Sequence, residues 1–166
     1  GGLVLGICNG LQVLLQTGLL LSDEAGHRQA TLAHNRSGRY VDRWVRLRCQ
    51  PGNCVFLHGL TTLELPVAHA EGRFVARSEA DLESLAAAGQ LPLRYAADAG
   101  GVATNPNGSV ADVAGSCDPT GRVFGLMPHP ERFITATQHP AWHGRLDPDA
   151  AGSGLAVFVN AVRATA

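Results

Sequence analysis

Apolar positions along this chain come in short runs, and the polar spacing between them predicts the elements. Leu3-Val4-Leu5 leads into Gly6-Ile7-Cys8-Asn9-Gly10, and a second apolar run, Leu11–Leu15, follows at once. That pattern predicts a buried strand, a sharp turn and a helix that Gly18 is placed to stop. Ser22 to Gly38 is polar without a clear period and reads as a long loop. Tyr40 to Cys49 (YVDRWVRLRC) alternates apolar and basic residues, as a half-exposed strand does. Pro51-Gly52-Asn53 is a turn, and Val55–Leu57 is a short apolar piece. Leu63–Ala68 and Arg73–Ala76 predict strands on either side of His69. Ser78, with Asp81 three residues on, opens a helix that runs through Ala88 to Gly89. Leu91–Ala96 returns as a strand, and Gly100-Gly101 marks a turn. Val110–Ser116 and Arg122–Met127 flank Asp118-Pro119-Thr120-Gly121, which reads as a hairpin. A last helix is predicted from Gly154 to Ala164 with Ser153 as its cap. Strands and helices mixed in this way imply an α/β fold with an antiparallel portion.

Composition narrows the class. The 166 residues are 45% apolar and 16% charged with a net charge of −1. These values suit one globular domain, spanning 1–166, and give no electrostatic case for binding nucleic acid or an anionic membrane. No apolar run approaches the ~18 residues of a membrane span. The start of the chain lacks the basic region and cleavage site of a secretory signal, so a cytoplasmic protein with reduced cysteines is expected. Cys8, Cys49, Cys54 and Cys117 form no CxxC pair and no zinc-ligand spacing. Only two residues precede the first strand, so sequence upstream of the chain is expected to be missing.

Two stretches carry chemistry. Gly6-x-Cys8-x-Gly10 has the spacing of a hydrolase nucleophile elbow with cysteine in place of serine. The glycines make room beside the nucleophile, and the start of the helix is expected to favour a Cys8 thiolate. The second stretch is Gly125-Leu126-Met127-Pro128-His129-Pro130-Glu131-Arg132. Each proline biases the residue before it toward extended backbone, so His129 and Glu131 are expected side by side at the carboxyl end of a strand. A histidine oriented by a carboxylate completes a cysteine triad: Cys8 as nucleophile, His129 as base and acid, Glu131 to orient it. His139 and His143 flank Pro140 and read as loop, with no metal site expected. Arg43, Arg46 and Arg48 form a basic strand face expected to be solvated.

With these residues in place, the chain resembles the class I (triad) glutamine amidotransferases through GICNG, Gln12 and MPHPER. Within them it is similar to the glutaminase component of formylglycinamidine ribonucleotide synthase, through Leu65–Arg73 (LPVAHAEGR) and Asn105–Ser109 (NPNGS). The resemblance runs from Gly2 to the terminal helix. It implies a three-layer, flavodoxin-like fold: a mostly parallel sheet flanked by helices, a small antiparallel sheet, and the N-terminal strands absent. It implies that the Asn9 backbone N–H stabilises the oxyanion and that Gln12 holds substrate, with His69, Glu71 and Arg73 near the site. Glutamine is the implied substrate, and no cofactor is expected in this chain. ATP and magnesium belong to a separate synthetase partner, which works with a small accessory protein. The absent N-terminal region carries a second oxyanion donor in the family, so weak or no glutaminase activity is expected of these residues alone. The chain departs from the family at Ala70, usually glycine, and at Leu11, usually aromatic. Two other readings stay open: a stand-alone cysteine hydrolase of the same fold, and a non-catalytic docking subunit. The role of Asn105–Ser109 is undecided between partner contact and turn.

Overall fold

The computed structural model describes residues 1–98, 100–102, 104–144 and 146–165. Among the described residues, eight strands and three helices follow one another: β1 (Val4–Ile7), α1 (Asn9–Gln16), β2 (Ala30–His34), β3 (Val41–Cys49), β4 (Thr62–His69), β5 (Glu71–Ala76), α2 (Glu79–Ala87), β6 (Leu93–Tyr95), β7 (Val113–Cys117), β8 (Val123–Leu126) and α3 (Leu155–Arg163). The main sheet has the order β1-β8-β7-β6-β3-β4, and β2 and β5 form a separate two-stranded antiparallel sheet. The main sheet is mixed. Its parallel character resides in the β1–β8 pair, with Val4 opposite Val123 and Ile7 opposite Leu126. The other pairings are antiparallel.

The apolar positions of the strands fill two cores, one on each face of the sheet. Leu47, Leu65, Leu93, Phe124 and Leu126 pack with Phe56 and with Val157 of α3. Leu11, Leu14 and Leu15 of α1 pack with Phe74 of β5, Leu85 of α2, Val113 and Met127. The sheet is thus the middle of three layers, as alternating side-chain directions require. The β7–β8 hairpin is set by Asp118. Its carboxylate accepts the N–H groups of Thr120, Arg122 and Val123 at 3.1, 2.9 and 2.8 Å. Ser78 caps α2 by accepting the Asp81 N–H at 3.1 Å.

Two expectations change, and the short apolar piece Val55–Leu57 takes a defined form. The stretch read as a loop from Ser22 to Gly38 contains β2, whose one strongly apolar residue, Leu32, is too little for a visible period; pairing with Phe74 of β5 makes it a strand. Val55–Leu57 is a 3₁₀ turn. Ser153 does not cap α3, which starts from Gly154 without a side-chain cap. The Ser153 hydroxyl instead donates to the Glu64 carbonyl (2.8 Å) and accepts the Glu64 N–H (3.3 Å), so it serves the outer edge of β4.

Candidate active site

Cys8 stands at the junction of β1 and α1. Its N–H donates to the Leu126 carbonyl at 2.8 Å, and its own carbonyl accepts the N–H groups of Leu11 and Gln12 that begin the helix. Cys8 has φ 52° and ψ −104°, a left-handed conformation in a residue with a Cβ. Such backbone costs about 1–3 kcal/mol and persists where its surroundings enforce it, as in a nucleophile elbow. Of the flanking glycines, only Gly6 is demanded by space. A Cβ there would come within 2.5 Å of Leu14 Cδ1 and 2.7 Å of the Gly10 backbone, whereas a Cβ on Gly10 would meet nothing within 4 Å.

The environment of the thiol corrects one expectation. Burial pushes the Cys8 thiol up, and the Asn9 N–H and the Arg132 charge, which act to lower it, do not offset that; the Glu131 charge adds to the rise. Withdrawing an anion from water outweighs one N–H at the start of an eight-residue helix. Ionising this sulfur therefore needs a proton acceptor close by.

The neighbouring strand leads to one. The chain leaving β8 carries His129, buried at 6% exposure, whose N–H donates to the Pro66 carbonyl of β4 at 2.9 Å. His129 Nδ1 lies 2.6 Å from Glu131 Oε1, and Arg132 Nε lies 3.5 Å from the same oxygen. The local backbone is not the extended alternation that the prolines suggested. Pro130–Arg132 form a 3₁₀ turn with His129 at its start, and the pair closes across that turn. A hydrogen bond from Nδ1–H to the carboxylate leaves Nε2 as the basic nitrogen. His129 Nε2 is buried and has no hydrogen-bond partner among the described residues, Cys8 included.

β4 and β5 bring the remaining residues. His69, at the end of β4, is 4% exposed and its Nδ1 lies 3.1 Å from Asn35 Oδ1. Burial, reinforced by the charge of His129, holds its pKa down to about 4, so it is neutral at physiological pH. Gln12 Nε2 reaches the Glu71 carbonyl over a long 3.4 Å. The Glu71 carboxylate pairs with His34 Nε2 at 3.1 Å, and Arg73 Nε donates to the His34 carbonyl at 2.9 Å. Glu131 and Arg132 thus lie near Cys8, and His129 stands between Glu131 and His69, while the Glu71 and Arg73 side chains are engaged with the end of β2.

Sequence reasoning missed Asn35, hidden in the stretch read as loop, and left Asn105–Ser109 undecided. In the structure the latter segment is a turn docked on β5. Asn107 Nδ2 donates to the Gly72 carbonyl (2.8 Å), and Ser109 Oγ accepts the Phe74 N–H (2.9 Å) while donating to Asn107 Oδ1 (2.7 Å). Asn107 and Ser109 are both buried. Their side chains take the place of a neighbouring strand and hold the β5 backbone next to His69. The NPNGS spelling was the signal; its meaning depended on which strand it met.

The other candidates have structural settings. His139 packs at a tilt against Trp44 and Phe133, at centroid distances of 4.3 and 5.4 Å. All four cysteines are free, and Cys54 lies against Cys117. Among the described residues no group of three or more His, Cys, Asp or Glu side chains is placed to hold a metal ion. Among the same residues no helix is long and apolar enough to cross a membrane.

Comparison with known proteins places this geometry. The chain is 41% identical over 171 residues to the phosphoribosylformylglycinamidine synthase subunit PurQ of Dehalococcoides mccartyi, covering 98% of this chain and 64% of that protein. It is 39% identical over 178 residues to the PurQ subunit of Methanococcus maripaludis, covering 98% of this chain and 65% of that protein. The chain therefore spans just under two thirds of the length of these curated relatives. The structure of PurLQS from Thermotoga maritima superposes with a TM-score of 0.70 at 29% identity, covering 99% of this chain and 62% of that one. A family model for the CobB/CobQ-like glutamine amidotransferase domain matches residues 1–163. With its strained Cys8 elbow and the match running almost end to end, the chain belongs to the CobB/CobQ-like glutamine amidotransferase family.

Proposed function

We propose that this chain releases ammonia from glutamine as the glutaminase component of phosphoribosylformylglycinamidine synthase, in purine biosynthesis. The observation that carries the reading is the meeting of β1 and β8. The elbow cysteine ends one strand, and the histidine clamped at 2.6 Å by Glu131 leaves the parallel neighbour. In this reading His129 Nε2 takes the Cys8 proton, and the thiolate attacks the carboxamide carbon of glutamine. The carbonyl oxygen becomes an oxyanion facing the Asn9 N–H, a type of donor typically worth about 3 kcal/mol. His129 returns its proton to the nitrogen, the C–N bond breaks, and ammonia leaves a glutamyl thioester on Cys8. Water, deprotonated by His129, then attacks the thioester, giving glutamate and restoring the thiol. Glu131 keeps the histidine in the Nδ1–H tautomer and in a fixed orientation between steps.

Gln12 and His69 are the proposed substrate contacts, and Glu71 and Arg73 support them through β2. The ammonia passes to a synthetase partner, helped by a small accessory protein, which uses ATP and magnesium to convert formylglycinamide ribonucleotide to the amidine. The chain is proposed to act in the cytoplasm. The test is glutamate release from glutamine with a synthetase partner, for wild type and Cys8→Ala, in a chain that also carries the family's N-terminal region. Release that needs Cys8, with the ammonia recovered in the amidine, supports the reading. Release without transfer to the synthetase identifies a stand-alone hydrolase. Binding of the synthetase with no release identifies a docking subunit.

A further inference from the structure

The two buried histidines of the site are each held at Nδ1, but by different groups. His129 faces the Glu131 carboxylate at 2.6 Å, and His69 faces the Asn35 carboxamide at 3.1 Å. The orientation of the Asn35 amide is fixed by its other bonds. Its Nδ2 donates to the carbonyls of Arg39 (2.9 Å) and His69 (2.8 Å), and its backbone N–H donates to the Ala70 carbonyl (2.8 Å). With the amide nitrogen committed to two carbonyls, Asn35 Oδ1 must be the atom facing His69, and an oxygen there can only accept. His69 Nδ1 therefore carries a proton, and in the neutral ring that burial favours the lone pair stands on Nε2. That Nε2 is buried and has no partner among the described residues.

The place of His69 gives the clamp its consequence. The His129 N–H is bonded to Pro66, three residues before His69 on β4. The His69 ring and Met127 both sit against Gly72, within 2.8 and 2.7 Å of where a Cβ would be. The charged groups around His69 are His129, with Glu131 and Arg132 behind it, and Glu71 and Arg73 on β5, both engaged with His34.

We propose that Asn35 is a positioning residue: it locks His69 in the Nδ1–H tautomer, so that a neutral acceptor with a standing lone pair faces the site beside His129. A carboxylate partner favours an imidazolium, which a general base needs; a carboxamide orients a ring without charging it. The two orienters thus divide the labour, one histidine to move protons and the other to accept a hydrogen bond. The proposal rests on the glutaminase reading only for what donates to His69, not for the clamp itself.

The test is the tautomer of His69, read by two-bond ¹H–¹⁵N correlation on histidine-labelled protein, for wild type, Asn35→Ala and the isosteric Asn35→Asp. The expected result is the Nδ1–H form of His69 in wild type, its loss in Asn35→Ala, and a doubly protonated ring near neutral pH in Asn35→Asp. The KM for glutamine should rise roughly tenfold in Asn35→Ala, about the worth of one hydrogen bond. Alkylation of Cys8 by iodoacetamide should stay within about twofold of wild type, since the Cys8–His129 pair is untouched. An Nε2–H form of His69 in wild type, or an unchanged tautomer in both variants, overturns the proposal. If a chain that also carries the family's N-terminal region neither binds nor hydrolyses glutamine while the tautomer responds as expected, the clamp stands and the glutaminase reading falls.

Discussion

At the scale of single residues the site is governed by what burial does to charge. Cys8 sits where burial disfavours its thiolate, so its reactivity must come from proton transfer to His129 rather than from an already ionised sulfur. Replacing His129 with Ala should slow alkylation of Cys8 by iodoacetamide at pH 7 by roughly tenfold or more, and move its pH dependence above that of an ordinary thiol. Equal rates in the two proteins would refute the coupling. His69 makes a different prediction, for stability. Its folded pKa of about 4 lies below the ordinary histidine value, so between about 6.5 and about 4 the unfolded chain binds a proton that the folded chain refuses. Stability from this residue is complete above that window and falls as the pH drops through it, by up to about 3 kcal/mol. Urea unfolding at pH 7.5 and pH 4.5 should show this loss in wild type and a smaller one in His69→Asn. The Cys-x-Gly and His-x-Glu spellings were legible in the sequence because spacing alone fixes which groups meet. The raised Cys8 thiol and the Asn35 clamp were not, since both depend on how much water and which distant segment surround a side chain.

At the scale of elements the strand-turn-helix unit of β1 and α1 is held by close approach on one side only. Gly6→Ala should destabilise the fold by about 1–3 kcal/mol, the usual cost of overpacking, because its methyl would press on Leu14 and the Gly10 backbone. Gly10→Ala has open space and helical backbone, and should be neutral or stabilising by up to about 1 kcal/mol. Thermal unfolding of the two variants reads both signs. Asn107→Ala should cost about 1–3 kcal/mol by leaving the Gly72 carbonyl and the Ser109 hydroxyl short of partners inside the protein. Elements with a strong local period, β3 and the β7–β8 hairpin, were predicted within a few residues of their ends. β2 was not, because a strand with one strongly apolar side chain is made by its partner and not by its own pattern.

At the scale of the whole molecule, segments distant in sequence tie the fold together. Ser153, placed just before α3, bonds the backbone of Glu64 on β4, 89 residues away in sequence, and so ties the last helix to the sheet edge. Ser153→Ala should lower the urea midpoint by an amount equivalent to about 1 kcal/mol without altering Cys8 alkylation. A change in alkylation would mean that this edge and the elbow are coupled. Composition and local spacing by themselves determined the α/β class, the nucleophile turn, the histidine with its carboxylate, and the family resemblance, because each is written in residues close together along the chain. Tertiary structure alone decided the mixed strand order, the service of Ser153 to a strand edge, the docking of Asn105–Ser109 on β5, and the neutrality of His69. The reason is physical: hydrogen-bond partners and burial belong to pairs of segments far apart in sequence, and no local pattern specifies which segment will arrive.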